Sequence, residues 1–348
     1  MLHMRALLIT EPGEAHVTEL PLPALAPDDV LVRSRVVALC SNDIELYQGK
    51  RPQGLSHYPI IPGHEWSGEV VAAGDLVQNI LPGQRVVAES FRSCGLCSNC
   101  RSGQVNLCET RYDEIGFTRA GGLAEYVAVP ASQVHILPSE ASFEEAALLE
   151  PAAVVAHAFL RAQPRPNSVV VIVGDDPSCL LAVQFARLFT PAAIVLLGFR
   201  EERLELARRF GATYTINMSR EEPQELLNTL TNGKGADLVF EGSGHAQAVE
   251  EALRQTKRGG AVLLEGITSS IAPLSVESDI FVVRNLAVFG VFGANSAAWA
   301  YALDLYRAGL LQLSPLISHH FPLDDYQTAL DTITLRLSRA LKVLVVHE

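Results

Sequence analysis

From about residue 169 onward, short β-branched runs alternate with stretches of helical period. Val169–Val173, Ala193–Leu197, Tyr214–Asn217, Asp237–Glu241, Ala261–Glu265 and Ala287–Val291 read as six strands. Between the first two, Leu181, Phe185 and Leu188 recur at helical spacing; between the next two, Leu206 and Phe210 do so before a stop at Gly211. This alternation predicts an α/β unit built on a parallel, doubly wound sheet of six strands.

The first half is patterned differently. Short runs punctuated by Pro59, Pro62-Gly63, Pro82-Gly83 and Gly121-Gly122 predict a mostly β unit. The apolar stretch at residues 1–9 is soon broken by Glu11, Pro12 and Gly13, so it is too short for a signal sequence and reads as a first strand. After Ala294, a helical segment from Ser296 to Gly309 leads past Pro315 and Pro322 to a last strand, Lys342–Val346, expected to return to the first unit. The change of pattern places one domain at 1–155 with 296–348 and the other at 156–295.

Composition narrows the partners. In 348 residues, 48% of them hydrophobic, the formal net charge is -12, which argues against nucleic acid or an anionic membrane and for a small molecule. No run approaches the roughly 18 apolar residues of a membrane helix. Of six cysteines, four lie between residues 94 and 108, a distribution suited to metal ligation in a reducing compartment, the cytoplasm, rather than to disulfides.

Cys94-x2-Cys97-x2-Cys100-x7-Cys108 supplies four thiolates within 15 residues, enough to close a tetrahedral shell around zinc. A closed shell holds a loop in place and does no chemistry. An iron–sulfur cluster is the rival that this spacing leaves open.

Three further candidate ligand segments are weak singly: Cys40, Pro62-Gly63-His64-Glu65, and Glu150 in Leu148-Leu149-Glu150-Pro151. With Cys40-Ser41-Asn42-Asp43, the cysteine lobe and Gly121-Gly122-Leu123-Ala124-Glu125-Tyr126, they follow the order found in zinc-dependent medium-chain dehydrogenases, which the chain resembles over essentially its whole length. The sorbitol- and threonine-dehydrogenase-like branch is the most similar. The resemblance implies a GroES-like, mostly β catalytic domain beside a Rossmann domain, and an NAD(P)-dependent alcohol or polyol dehydrogenase with a catalytic and a structural zinc. It also implies a homodimer or homotetramer. Carried over by position, Cys40, His64 and Glu65 hold the catalytic zinc, with Glu150 binding directly or through a water, and Asp43 orients His64. Cys94, Cys97, Cys100 and Cys108 hold the structural one. An open zinc site of mixed S, N and O ligands polarises an alcohol or carbonyl, so that hydride can pass to or from a nicotinamide ring.

Two positions depart from the family's proton path. Asn42 stands two after Cys40, where the family carries Ser or Thr, with Ser41 displaced by one; Glu45 stands where a relay His is common. The proton then falls to Glu45, or to Glu65 or Glu150 through a water.

The glycine turn departs further. It reads Val173-Gly174-Asp175-Asp176-Pro177-Ser178-Cys179, so of the pattern Gly-x-Gly-x-x-Gly only Gly174 survives, with Asp176 and Cys179 at the other two glycine positions. Locally it is a helix start, Asp176 as N-cap, Pro177 at the first helical position and Ser178 after it. A carboxylate at that helix end opposes pyrophosphate binding, at a cost of about 1 kcal/mol or more. At the end of the second strand, Gly198 replaces the acid that binds ribose in NAD enzymes. With Arg200 nearby, ahead of Arg203, this favours NADP.

Gly293 follows Gly290-Val291-Phe292 where sorbitol dehydrogenases carry a substrate-orienting Arg, so the usual sugar alcohol is not expected. Cyclic polyols, aminocyclitols and amino alcohols are all compatible, as alcohol or ketone, and Phe117 lies in a segment that lines the family's cleft or packs in its core. Asp176, Cys179 and Asn42 also motivate two other readings: a zinc-stabilised scaffold without turnover, and an epimerase that oxidises its substrate transiently.

Overall fold

The computed structural model describes residues 2–267, 273–335 and 340–347. Its backbone divides into two compact units, residues 1–151 with 294–303 and 313–348, and residues 152–293 with 304–312. The first unit opens with strands β1 (His3–Glu11), β2 (Glu14–Pro21), β3 (Asp29–Leu39), β4 (Glu65–Ala73), β5 (Arg85–Ala88), β6 (Tyr126–Pro130) and β7 (Val134–Ile136). The second holds β8 (Val169–Val173), β9 (Ala193–Gly198), β10 (Tyr214–Asn217), β11 (Ala236–Glu241), β12 (Thr256–Leu264) and β13 (Ala287–Gly290). The chain then supplies β14 (Ile317–Pro322) and β15 (Lys342–Val346), which join the sheet of the first unit.

β3 is the hub of the first unit. β4 pairs along one edge, while the other edge is shared by β6 against Asp29–Arg33 and by β15 against Val36–Leu39, all antiparallel. Val30, Val32, Val37 and Leu39 of β3 pack with Trp66, Val70, Val343 and Val345 in one core. The row β15, β3, β4 brings residues from three distant parts of the sequence to one end of the sheet.

In the second unit the strand order is β10-β9-β8-β11-β12-β13, every pair parallel. Val171, Val195, Val239 and Val262 are buried, as expected of β-branched strands covered on both faces. The helix Glu201–Phe210 buries Leu204, Ala207 and Phe210 at helical spacing. It carries Glu201 and Glu202 in its first turn and Arg208 and Arg209 in its last, and ends on Gly211 in the left-handed region. The order reverses between β8 and β11, and ligands bind outside the carboxyl ends of strands at such a reversal. The largest boundary difference from expectation among these strands is that β12 begins at Thr256 rather than Ala261, because Lys257, Arg258, Gly259 and Gly260 give no apolar signal although they extend the strand. Among the described residues no helix is long and apolar enough to cross a membrane.

Candidate functional site

The register of the hub strands assembles the first site. Ala38 of β3 faces Glu65 of β4, and Leu39 faces Val343 of β15. Cys40 therefore leaves β3 beside His64, which immediately precedes β4, and beside Lys342, which opens β15. Cys40 caps the helix Ser41–Tyr47, its Sγ accepting from the Asn42 N–H while Asp43 returns a carboxylate oxygen to the Cys40 N–H at 2.9 Å. Cys40 Sγ lies 3.4 Å from His64 Nε2, and one ligand atom each from Cys40, His64 and Glu65 falls within 4.8 Å of the others. Tetrahedral zinc holds a thiolate and an imidazole nitrogen about 3.6 Å apart, so the donor set and its spacing fit that ion.

Around these donors the polar groups are buried. Asp43 Oδ1 stands 3.6 Å from His64 Nδ1, on the ring edge away from Cys40, which leaves Nε2 for a metal. Burial alone would raise the Asp43 carboxyl; His64 and the Cys40 N–H outweigh it and hold it below the ordinary value. Lys342 Nζ lies 2.5 Å from both oxygens of Glu65 and both side chains are almost wholly buried, an ion pair that the sequence reading did not find. Burial would lower the Lys342 ammonium, and Glu65 and Cys40 more than reverse this.

Glu150 lies outside the close group of three. Its Oε1 accepts from Ser90 Oγ at 3.1 Å, and burial pushes its carboxyl up to about 7, Glu65 adding to the rise while His64, Lys342 and Ser90 oppose it. Ser41 and Asn42 open the capped helix, and Glu45 further along it is buried with Oε2 lacking a hydrogen-bond partner among the described residues. Phe117 is fully buried, its ring centroid 4.7 Å from that of His64 and 3.7 Å from the Arg51 guanidinium carbon. Arg51 also meets Tyr112 at 3.1 Å and Glu114 at 3.4 Å. Burial lifts Glu114 to about 7 despite the pull of Arg51.

Backbone packing fixes His64. Gly121 and Gly122 donate to Ile61 and Gly63 carbonyls at 2.8 Å each, and a β-carbon on Gly121 would lie 2.4 Å from the Gly63 oxygen. Only glycine permits so close a crossing.

Cys94, Cys97, Cys100 and Cys108 form a second group with Sγ atoms within 4.8 Å of one another. The Cys94 and Cys100 sulfurs are 3.8 Å apart, the edge of a zinc–thiolate tetrahedron being about 3.8 Å. Backbone N–H groups of Leu96, Cys97 and Cys100 point at these sulfurs. The Thr110 hydroxyl with the Cys97 and Leu96 N–H groups brings the Cys94 thiol down to about 5.

At the glycine turn of the second unit, Asp176 occupies the N-cap position and Pro177 begins the helix Pro177–Arg187, with Ser178 next. The expected capping hydrogen bond is not made. The Asp176 carboxylate turns instead to Arg203 Nη1 at 2.8 Å, so the helix-end N–H groups are not consumed by it. Cys179 replaces a glycine without loss of space, because its sulfur fills the room over Gly174 and Gly242, where β-carbons would approach within 2.8 and 2.6 Å. Gly198 ends β9, and Arg200 and Arg203 both face Asp175, a residue that the sequence reading passed over.

Residues 26–139 match the family model for the alcohol dehydrogenase GroES-like domain, and residues 179–308 that for zinc-binding dehydrogenases. The chain belongs to the zinc-dependent medium-chain dehydrogenases. This dehydrogenase is 30% identical to sorbitol dehydrogenase of Bacillus subtilis (strain 168) over 351 residues, covering 99% of the chain and 97% of the relative. It is 33% identical over 321 residues to an L-threonine 3-dehydrogenase of Legionella pneumophila subsp. pneumophila, covering 92% and 93% respectively. Among solved structures, a protein of Sinorhizobium meliloti 1021 described as a zinc-binding dehydrogenase and bound to NADP matches it with a TM-score of 0.90 and 30% identity, over 100% of both chains. The GroES-like and Rossmann expectations, and the activity class of a zinc-dependent alcohol or polyol dehydrogenase using NAD(P), thus hold for this chain.

Proposed function

We propose that this dehydrogenase oxidises a secondary alcohol carrying a neighbouring hydroxyl or amine, or reduces the matching ketone, with Cys40, His64 and Glu65 holding a catalytic zinc. The observation that carries the reading is the convergence of one sulfur, one imidazole and one carboxylate at the end of β3 and β4, apart from a complete set of four thiolates. That second set is assigned to a structural zinc, giving two zincs per chain. Bound in the open site, zinc supplies Lewis acidity to the substrate oxygen.

The chain's own residues then do the following. Asp43 keeps the His64 ring in place from its far edge. Lys342 balances the charge of Glu65 and occupies both its oxygens, so Glu65 is a poor proton acceptor. Glu150, whose one hydrogen-bond donor among the described residues is Ser90, is the carboxylate assigned to proton transfer ahead of Glu45. The substrate class follows the sorbitol and threonine dehydrogenases that the chain is similar to, and Gly293 argues for a group other than an unmodified sugar alcohol. A homodimer or homotetramer in the cytoplasm completes the reading.

The hydride carrier is NAD(P), for which the turn and helix start at Gly174, Asp176, Pro177 and Ser178 are the proposed binding residues. A preference for NADP, suggested by Gly198 with Arg200 and Arg203, requires arginines able to meet a 2′-phosphate, and both already face carboxylates.

The test is to add a panel of diols, cyclitols and amino alcohols to zinc-loaded protein with NAD or NADP and follow the absorbance of reduced nicotinamide. Steady release is expected. Isomerised substrate without release would make the protein an epimerase, and neither would make it a scaffold. Glu150→Gln should lower kcat at unchanged zinc content; if Glu45→Gln did so and Glu150→Gln did not, the proton path assigned here would be wrong.

A further inference from the structure

The second unit contains an acid that the glycine pattern does not require. Asp175 is buried between Gly174 and Asp176. Its Oδ2 accepts from the N–H groups of Phe199 at 2.7 Å and Arg200 at 2.9 Å, just beyond the tip of β9. Its Oδ1 faces Arg200 Nη1 at 3.3 Å and Arg203 Nη1 at 3.2 Å. Two oxygens meeting four donors is the full capacity of a carboxylate.

Gly198 makes this arrangement possible. A β-carbon at residue 198 would lie 2.8 Å from Asp175 Cβ, and 3.0 Å from both Asp175 Oδ2 and Leu204 Cδ2. An acidic side chain at the end of β9 and Asp175 cannot occupy this corner together. The carboxylate is present at the strand end after all, but it is delivered from the neighbouring strand's turn.

A second anion faces the same two cations, Asp176 Oδ1 standing 2.8 Å from Arg203 and 3.9 Å from Arg200. A 2′-phosphate, with close to two negative charges, would lie beside Asp175 and have to compete with it for both arginines. A ribose hydroxyl carries no charge and meets no such opposition. Resting on the dehydrogenase reading above, we propose that Asp175 sets cofactor choice, favouring NAD by repelling a 2′-phosphate and competing with it for Arg200 and Arg203.

Titration calorimetry of the zinc-loaded full chain with NAD and with NADP tests this without any substrate. Wild type should bind NAD about tenfold or more tighter than NADP, the scale of one charge-assisted contact. Asp175→Asn keeps the shape but removes the charge, and should tighten NADP about tenfold while NAD changes by less than about threefold. Adding Arg200→Ala to Asp175→Asn should cancel that gain, whereas Arg200→Ala alone should shift both cofactors alike. Asp175→Ser provides a smaller second variant if the buried amide prevents folding, as thermal unfolding would reveal. Wild type binding NADP at least as tightly as NAD, or both variants failing to improve NADP, would overturn the assignment of Asp175 and leave the dehydrogenase reading standing. Wild type binding neither dinucleotide would remove both.

Discussion

With zinc bound as proposed, Glu65 would have two competing counter-charges, the metal ion and the Lys342 ammonium. Removing the ammonium strands a buried carboxylate, at a cost of about 3–5 kcal/mol. Lys342→Met should therefore lose about that much stability in urea titrations of metal-stripped protein, and clearly less with zinc added. Equal losses in both states would mean that the ion does not share Glu65 with the lysine. Glu114 gives a pH signature instead. Its carboxyl is raised from 4.5 to about 7 by burial, so the folded protein resists ionising it and sheds stability as pH rises through that window. Glu114→Gln does not titrate, so its stability relative to wild type should climb between pH 5 and 7.5, by on the order of 3 kcal/mol at most. A constant offset across that range would sink the claim. Cys40, His64 and Glu65 were legible because they lie inside short motifs, and His64 and Glu65 are adjacent. Lys342 was not, since its partner is 277 positions away, although a lysine opening the apolar strand Lys342–Val346 was an anomaly in plain sight.

At the scale of elements, the position of His64 depends on the crossing at Gly121. Gly121→Val must push the Gly63 carbonyl aside and should cost about 1–3 kcal/mol or more. It should also lower zinc content at the Cys40 site while the cysteine lobe keeps its metal, which metal analysis of the purified variant would read. Cys100→Ser should do the converse: one zinc lost, faster proteolytic nicking within residues 94–108, and the other zinc retained. The strands of the second unit could be read from sequence because they are mostly short apolar runs alternating with helices, β8, β9 and β11 being largely buried as local units. The first unit was legible only as mostly β. Which strand lies beside which there depends on pairings such as β15 with β3, whose cause is shared burial and which no local pattern records. Asp175 escaped for a different reason: its partners are the backbone N–H groups just beyond another strand and the side chains of Arg200 and Arg203, and in a glycine turn its position accepts any residue.

On the scale of the whole molecule, every residue assigned to zinc belongs to the first unit. Chelation should accordingly weaken hydrogen-exchange protection in β3 and β4 and leave that of β8 and β9 as it was; equal loss in both sheets would contradict this division. The buried pair that joins β4 to β15 has one more implication, for the order of synthesis. Glu65 leaves the ribosome 277 residues before Lys342, which at cellular rates is roughly 14 to 55 seconds. Throughout that interval the nascent chain carries the carboxylate without its ammonium, and a zinc ion arriving then meets an acid with no rival already seated upon it.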